Sequence, residues 1–252
     1  MGTIVVKIGG NELDDPQFVA ALTGSIAGLR PLPVIVHGGG KEIGVVQQAL
    51  GGQPRFVAGL RVTDEAALRA AEMVLCGSVA TRLVAALMLA GAEAQGLSGV
   101  DRGLIRVTRV AHPAGDLGRV GRPVAIRTDI IHRLLQDGVI PVIAPISLGA
   151  DGPYNVNADE AAGAIAAALD ADEVVFVTNV SGVKDATGAT VPRLSRRASE
   201  ALIADGTISG GMIPKVRAAL SALEGGVATV RITTLEQLAQ PALGTRISEA
   251  DL

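Results

Sequence analysis

The segment that most constrains the fold lies at residues 33–44 and reads PVIVHGGGKEIG. Its first four residues are apolar and mostly β-branched, which is typical of a strand buried on both faces. Three glycines follow, and residues 41–50 then space their apolar side chains at helical intervals. Such a strand, glycine turn and helix start form an anion site, because glycine lets the backbone approach and the first helical N–H groups point at the charge. The alternative is a tight turn that binds nothing.

A second copy of this arrangement lies at residues 3–10, TIVVKIGG, where a buried-strand run ends in Gly9-Gly10 and Lys7 stands near its carboxyl end. Similar apolar runs alternate with helical patterns along almost the whole chain. This alternation predicts an α/β fold with a mainly parallel central sheet and helices on both faces. We expect an N-terminal lobe at 1–172 and a C-terminal lobe at 173–252, in extensive contact because no low-complexity linker separates them.

The local patterns predict individual elements. Residues 55–64 are expected to form a loop or short strand, and Thr63 or Asp64 to cap the next helix. Residues 111–121 are turn-rich and predict a hairpin, a glycine-rich loop follows residue 145, and 179–192 is a polar loop with a hairpin signal at Thr187-Gly188. The predicted strands are 3–8, 33–37, 92–97, 104–110, 139–145, 173–178 and 229–233, and the predicted helices are 15–29, 41–50, 65–90, 128–137, 157–169, 197–205 and 213–224.

Composition excludes several classes of protein. A net charge of −3 and a pI near 5.7 remove the electrostatic case for binding nucleic acid or an anionic membrane. Aromatic residues are 2% of the chain, too few for base-stacking platforms, and a single cysteine, Cys76, excludes an intrachain disulfide. The longest apolar runs are too short to span a bilayer, and no signal peptide precedes the first strand. We therefore expect a cytoplasmic location.

A Walker A loop does not fit, because it needs Ser or Thr after Gly-Lys, whereas Gly40-Lys41 is followed by Glu42. A dinucleotide fingerprint stays open as an alternative, because Gly38, Gly40 and Gly44 follow a strand with GxGxxxG spacing. Against it, the end of the next strand holds Arg61 where that fingerprint needs an acidic residue.

A third glycine turn lies at residues 209–215, SGGMIPK, where Pro214 suits a first helical turn and Lys215 follows it. A cation there opposes the helix dipole, and a bound anion would resolve the conflict. Asp159, in the run NVNAD at 155–159, could orient Lys7 and Lys215 if both lysines lie at the carboxyl ends of the strands. An N-cap at Asn157 or Asp159 is the alternative explanation of that run.

Arg61 and the three histidines are the other side chains that could take part in binding or proton transfer. Arg61 is a fork-shaped donor suited to a carboxylate, although alone it could be a surface arginine. The three histidines fit no metal or triad spacing, and His37, just before the glycines, suits packing or hydrogen bonding better than proton transfer.

Several motifs together carry a family resemblance over essentially the whole chain: VVKIGGN at 5–11, VIVHGGG at 34–40, GLRVTD at 59–64, GLSG at 96–99, PVIAPI at 141–146, YNVNAD at 154–159 and GTISGGMIPKV at 206–216. In these motifs the chain resembles the N-acetylglutamate kinases of the amino acid kinase family. The resemblance implies an open αβα sandwich, an N-terminal lobe that binds the acetylated amino acid and forms a homodimer, and a C-terminal lobe that binds ATP, with Mg²⁺ held mainly by the nucleotide. It also implies an arginine-insensitive dimer, because the N-terminal helix of hexameric members is not found.

The resemblance also assigns roles to residues. Lys7 and Lys215 would stabilise the moving phosphoryl group, and Asp159 would orient both. The acylated amino acid would be held by the amides of Gly39 and Gly40, with Arg61 and Asn155. Gly9 and Gly10 would donate amides to phosphate, and the nucleotide would be bordered by Thr178, Asn179, Gly182, Val183, Lys184, Thr207, Ile208, Ser209, Gly210 and Gly211. Asn179 stands where the family usually has Asp, so a carboxylate-dependent role at that position is in doubt.

The motifs and the resemblance agree on phosphoryl transfer. The resemblance implies a γ-carboxylate as the acceptor, which with an ordinary pKa of about 4.3 is ionised at neutral pH and needs no general base. The alternatives are a kinase of aminoadipate, free or N-blocked or carrier-bound, a carbamate or aspartate kinase, an NAD(P)-binding protein and a non-catalytic amino-acid-binding protein.

Overall fold

The structure is a computed structural model that describes residues 2–10, 13–113 and 115–249; Asn11, which ends the first family motif, lies outside them. The strands are β1 (Ile4–Ile8), β2 (Pro33–His37), β3 (Phe56–Val57), β4 (Leu60–Arg61), β5 (Ala94–Gly99), β6 (Ile105–His112), β7 (Gly115–Ile126), β8 (Ile140–Gly149), β9 (Gly152–Val156), β10 (Glu173–Val177), β11 (Arg193–Ser195), β12 (Thr229–Thr233) and β13 (Thr245–Ser248). The helices are α1 (Pro16–Ala27), α2 (Gly40–Ala49), α3 (Glu65–Glu72), α4 (Ala80–Leu89), α5 (Thr128–Gln136), α6 (Ala158–Ala168), α7 (Arg196–Ala204) and α8 (Met212–Glu224).

One sheet runs through the described part of the chain. It has 11 strands, in the order β11-β13-β12-β10-β1-β2-β8-β6-β7-β9, with β5 paired to β8. Strands β12, β10, β1, β2 and β8 are mutually parallel, so their carboxyl ends meet at one edge. In open α/β sheets, ligands bind outside that edge. Because β1 pairs directly with β10, the sheet is continuous across residue 172, and the lobe boundary there stays a prediction.

Helices cover both faces of the sheet, which confirms the predicted three-layer α/β fold. Val5 and Val34 point toward one core, which also contains apolar side chains of α5, α6 and α8. Val6 and Ile35 point toward a second core with α1, α3 and α4. Neighbouring residues enter opposite cores because side chains alternate across a strand. The continuous apolar runs seen in the sequence are therefore strands buried on both sides.

Side-chain caps fix where α1, α3 and α6 begin. Asp15 accepts a hydrogen bond from Gln17 N, with Pro16 in the first turn of α1. Of the two cap residues predicted for α3, Thr63 and Asp64, it is Asp64 that caps the helix. Asn157 caps α6 through Asp159 N and Glu160 N. Since the cap of α6 is Asn157, the carboxylate of Asp159 remains available for another partner.

One of the loop predictions is confirmed and another is wrong in detail. The hairpin predicted at residues 111–121 is formed by β6 and β7, which pair antiparallel with His112 opposite Gly115. The glycine-rich loop predicted after residue 145 is instead the end of β8 and a tight antiparallel hairpin to β9. Glycine indicated a loop there, whereas Gly149 lies beneath the side chain of Tyr154, where a Cβ would be too close.

Residues Glu65–Leu89 form one continuous helical stretch, in which a π-helical segment, Met73–Val79, joins α3 to α4. By length and composition alone it could cross a membrane, with a mean hydropathy of 1.6. Its inner face, however, contributes Leu68, Leu75, Leu83 and Leu87 to the core beneath the sheet. A buried core helix passes the same test, so this stretch gives only weak support for a membrane span.

Candidate active site

The two predicted glycine turns touch each other at the carboxyl edge of the sheet. Gly38 N donates to Ile8 O at 3.0 Å, which extends the pairing of β1 with β2 into the turns. A Cβ on Gly10 would lie 2.3 Å from Gly39 N and 2.5 Å from Gly39 Cα. No side chain fits at Gly10, because backbone occupies that space. The glycines let two N–H-bearing turns meet without side chains between them.

We expect Gly10→Ala to destabilise the protein by about 1–3 kcal/mol, since the added methyl group overpacks two backbone segments. Gly40→Ala is the matched control, because a Cβ on Gly40 meets no heavy atom within 4 Å. Its free energy of unfolding should stay within about 0.5 kcal/mol of the parent value. Urea unfolding of both variants measures this difference, and equal midpoints would contradict the close approach of the turns.

A cavity of about 220 Å³ opens beside these turns. Its lining brings together seven residues to which the family resemblance assigns a role, along with apolar side chains such as Leu75, Val120 and Phe56. The seven are Lys7, Gly10, Gly39, Gly40, Arg61, Asn155 and Asp159. Backbone amides, a lysine from a sheet strand, an arginine, a carboxylate and an amide side chain therefore share a single concave site. Gly9 is not among the lining residues of this cavity.

Lys7 and Asp159 form an ion pair at one side of the cavity. Lys7 Nζ lies 2.7 Å from Asp159 Oδ1, with the two side chains 17% and 25% exposed. Lys7 points toward α6 because it alternates with Val6 and Ile8, which face the other core. The ammonium group is therefore held in place and still open to a ligand.

Arg61 forms another side of the cavity. Its Nη2 donates to Gly40 O at 2.7 Å and its Nη1 donates to Gln47 Oε1 at 2.9 Å. The guanidinium also lies over the ring of Phe56, 4.8 Å from the centroid. Burial lowers the pKa of Arg61 from its usual value, although a guanidinium remains protonated in proteins.

Asn155 is tied to the strand that carries Arg61. Its Nδ2 donates to Thr63 Oγ1 at 3.2 Å, and Thr63 Oγ1 in turn donates to Arg61 O at 2.9 Å. Between β3 and β4 the turn consists of Ala58 and Gly59, with φ of 49° and 83°. Two left-handed residues suit a two-residue hairpin. This hairpin holds the backbone of Arg61 beside the cavity.

Lys215 lies in the first turn of α8 and is not among the residues that line the cavity. Within residues 2–10, 13–113 and 115–249, Asp159 pairs with Lys7, and Lys215 lies outside ion-pair distance of it. Helix α8 precedes β12, which is parallel to β10, so its N-terminus lies toward the carboxyl edge of the sheet. The ion pair between Lys7 and Asp159 fits the prediction that Asp159 orients the lysines, and that role stays a prediction for both Lys7 and Lys215.

The residues predicted to border a nucleotide follow β10 or precede α8. Thr178 continues β10 through a bond from its N to Thr233 O at 2.9 Å, and Thr178 Oγ1 contacts Asn179 Oδ1 at 3.3 Å. Gly182, with φ of 135°, has no room for a Cβ, which would lie 2.5 Å from Thr245 Oγ1. Lys184 Nζ donates to Ser181 Oγ at 2.9 Å and to a threonine hydroxyl.

The remaining predicted nucleotide residues lie in the turn before α8. Thr207 N donates to Asp205 Oδ1 at 2.9 Å, and the buried Ile208 holds the turn against Leu202 O at 2.8 Å. Gly210 has φ of 53°, and Ser209 O accepts from Met212 N at the start of the helix; Gly211 is its N-cap. A nucleotide role for all these residues remains a prediction.

His37 is fully buried behind the glycine turn. Its Nδ1 lies 3.2 Å from Gly38 O, so the neutral ring carries its proton on Nδ1 and donates to that carbonyl. Burial is the main cause that lowers the pKa of His37 from 6.5 to about 4. This agrees with the predicted packing and hydrogen-bonding role and leaves His37 neutral at pH 7.

The free energy of unfolding should therefore fall as the pH drops from 6.5 to 4. In that window the unfolded chain takes up a proton at His37 that the folded chain does not, which costs about 3 kcal/mol by pH 4. His37→Asn keeps a donor for Gly38 O and removes the titration. Urea unfolding at pH 7, 5.5 and 4 should show a smaller loss for His37→Asn than for the parent chain, and parallel losses would contradict this assignment.

No group of three or more His, Cys, Asp or Glu side chains that could hold a metal ion occurs among the described residues. Gln47, the buried partner of Arg61, could not be predicted from the sequence, because a glutamine in an amphipathic helix carries no functional signal. Burial alone separates it from its neighbour Gln48, and burial is a property of the packed structure.

The fold and the glycine-lined edge define a class of small-molecule kinases, and the chain belongs to the amino acid kinase family, which matches residues 2–234. A relative from Roseiflexus castenholzii (strain DSM 13941 / HLO8) named acetylglutamate kinase is 70% identical over 93% of this chain and 90% of its own length. An acetylglutamate kinase from Chloroflexus aurantiacus (strain ATCC 29366 / DSM 635 / J-10-fl) is 50% identical over 98% and 97%. The crystal structure of smu.665 from Streptococcus mutans UA159 aligns with a TM-score of 0.81 and 29% identity, covering 98% of this chain and 99% of that one.

Proposed function

We propose that this chain transfers the γ-phosphoryl group of ATP to the γ-carboxylate of N-acetyl-L-glutamate, giving N-acetylglutamyl 5-phosphate and ADP. The 70% identity to an acetylglutamate kinase favours this acceptor over aminoadipate. The observation that carries the chemistry is the Lys7–Asp159 ion pair, which opens onto a cavity lined by Gly10, Gly39 and Arg61.

The reaction needs positioning and charge neutralisation. A carboxylate oxygen attacks the γ-phosphorus, and the bond from that phosphorus to the β,γ-bridging oxygen breaks to release ADP. Both reactants are anions, so the site must hold them in line and offset negative charge on the transferred group. Lys7 supplies a fixed positive charge, and the amides of Gly10 and Gly39 supply donors that need no reorganisation. Because the acceptor carboxylate is already ionised, the reaction needs no general base, and the buried, neutral His37 need not act as one.

We assign the amino acid to the cavity, where Arg61, Asn155 and the amides of Gly39 and Gly40 would together hold its two carboxylates and its acetamido group. Gly9 and Gly10 would donate to the transferred phosphate, and Lys215 would approach it from the N-terminus of α8. ATP would lie over the C-terminal lobe, next to Thr178–Lys184 and Thr207–Gly211. Carboxylates for an all-protein metal site are not clustered in the described residues, so Mg²⁺ would be bound mainly by nucleotide phosphates and would neutralise their charge.

We further assign a cytoplasmic homodimer, formed through the N-terminal lobes. In Glu65–Leu89, the apolar residues Met73, Met88 and Leu89 are 51%, 46% and 90% exposed, and a homodimer interface on this helical stretch would cover them. Sedimentation equilibrium at about twice the 25.5 kDa chain mass would agree with this assignment, and a monomer at micromolar concentration would contradict it.

The activity is tested by comparing N-acetyl-L-glutamate, L-glutamate and L-aminoadipate as acceptors with MgATP. An acyl phosphate reacts with hydroxylamine to give a hydroxamate, so trapping reports the product directly. We expect hydroxamate and ADP in equal amounts with N-acetyl-L-glutamate and far less product with the other two. ADP formation without hydroxamate, or a preference for aminoadipate, would contradict the proposal.

A further inference from the structure

Gln47 is a buried polar side chain directly behind the cavity. Only 3% of the residue is exposed, and its Oε1 accepts a hydrogen bond from Arg61 Nη1 at 2.9 Å. Its Nε2 contacts Gln53 O at a longer 3.4 Å. Burying an amide side chain costs free energy unless the amide is hydrogen-bonded, and the shortest hydrogen bond of Gln47 is the one from Arg61. The same bond restricts the position of the Arg61 guanidinium.

Helix α2 offers two acceptors to Arg61 on the same face. Gly40 O and Gln47 Oε1 come from residues seven positions apart, which is two helical turns. Helical side chains lean toward the N-terminus, so the Gln47 amide reaches back toward the first turn. Arg61 Nη2 and Nη1 contact these two oxygens. The guanidinium is therefore held at two points by the helix that carries the glycine turn.

Both of these acceptors are neutral. Among the described residues, no carboxylate lies within ion-pair distance of Arg61, although the site is half-buried. The positive charge of Arg61 is therefore left uncompensated by the protein and available to an anionic ligand. A glutamate at position 47 would occupy the same space and neutralise that charge.

We infer that Gln47 is a positioning residue that fixes the Arg61 guanidinium for the substrate carboxylate while leaving its charge free. The inference rests on the proposed function, since it concerns the acceptor site of that reaction. Gln47 acts through Arg61 and touches no reacting atom.

The test compares Gln47→Glu with Gln48→Glu, in steady-state assays with N-acetyl-L-glutamate and MgATP. Gln48 is the next residue on α2 and is exposed, so the control makes the same chemical change on the same helix. We expect Gln47→Glu to raise the KM for N-acetyl-L-glutamate about 10- to 100-fold, with the KM for ATP and the unfolding midpoint close to those of the parent. Gln48→Glu should leave both KM values unchanged.

A second variant, Gln47→Leu, separates positioning from charge. It removes the acceptor without adding a carboxylate, so the KM for N-acetyl-L-glutamate should rise by less than in Gln47→Glu. If Gln47 were only structural, Gln47→Leu and Gln47→Glu would lower the unfolding midpoint and leave the ratio of the two KM values unchanged; that result would overturn the inference. Absence of turnover in the parent chain would instead refute the proposed function.

Discussion

A Lys7→Met variant is expected to transfer phosphoryl groups about 10²–10³-fold more slowly than the parent chain. Lys7 Nζ is held 2.7 Å from Asp159 Oδ1 at the side of the cavity, where it can face the transferred group. Methionine keeps much of the side-chain volume and removes the charge. Since Lys7 and Asp159 are both partly exposed, the loss of stability should be small beside the loss in kcat. Hydroxamate formation at saturating substrates measures kcat.

Lys41→Met is the control for this prediction. Lys41 follows the second glycine turn, as a lysine near the same edge of the sheet, but it pairs with Asp14 at the surface and is 58% exposed. An exposed pair contributes about 0–1 kcal/mol, so the variant should keep both the fold and most of the activity. A Lys7→Met enzyme as active as Lys41→Met would contradict the role assigned to Lys7.

Replacing Arg231 with methionine is expected to lower the free energy of unfolding by about 3–5 kcal/mol. Arg231 is buried on β12, where its Nε donates to Glu173 Oε2 at 3.0 Å and its Nη2 donates to Leu238 O at 3.2 Å. The segment after β12 carries Leu235 and Leu238 into the core under the sheet. Without Arg231, the carbonyls of that segment and the buried carboxylate of Glu173 lose their main donor.

Arg246→Met provides the matched comparison. Arg246 contacts the other oxygen of Glu173 at 3.2 Å, but its side chain is 35% exposed, and the variant leaves Glu173 paired with Arg231. We expect a loss of about 1 kcal/mol, several-fold smaller than for Arg231→Met. Urea unfolding gives both values. Equal losses of unfolding free energy in the two variants would contradict the view that Arg231 stabilises the protein more than Arg246 because it is more buried.

The features around the cavity that could be predicted are those with a local signature. The strands that precede the two glycine turns are continuous, largely β-branched runs, a pattern typical of a strand buried on both faces. The parallel sheet then requires their carboxyl ends to meet. The contact between Lys7 and Asp159 could be predicted only on the assumption that both residues lie at the carboxyl edge of the sheet. The two residues are far apart in sequence, and their contact depends on how α6 packs against β1.

Other features could not be predicted because they arise from packing. The pairing of β8 with β9 was hidden by glycines such as Gly149, where the ring of Tyr154 leaves no room for a Cβ. The π-helical segment Met73–Val79 has the same apolar spacing as an ordinary helix and so leaves no mark in the sequence. Gln47 and Gln48 are identical residues side by side, and only the fold buries the first.

In the proposed function, Lys7 and Lys215 approach one phosphoryl group from opposite lobes. A crystal structure with N-acetyl-L-glutamate, Mg²⁺ and a non-hydrolysable ATP analogue tests it most directly. We expect the γ-phosphate oxygens to lie within about 3 Å of both ammonium nitrogens, with the acceptor carboxylate in the cavity beside Arg61. A γ-phosphate bound away from Lys7, or a Lys215 side chain directed away from the nucleotide, would contradict the account.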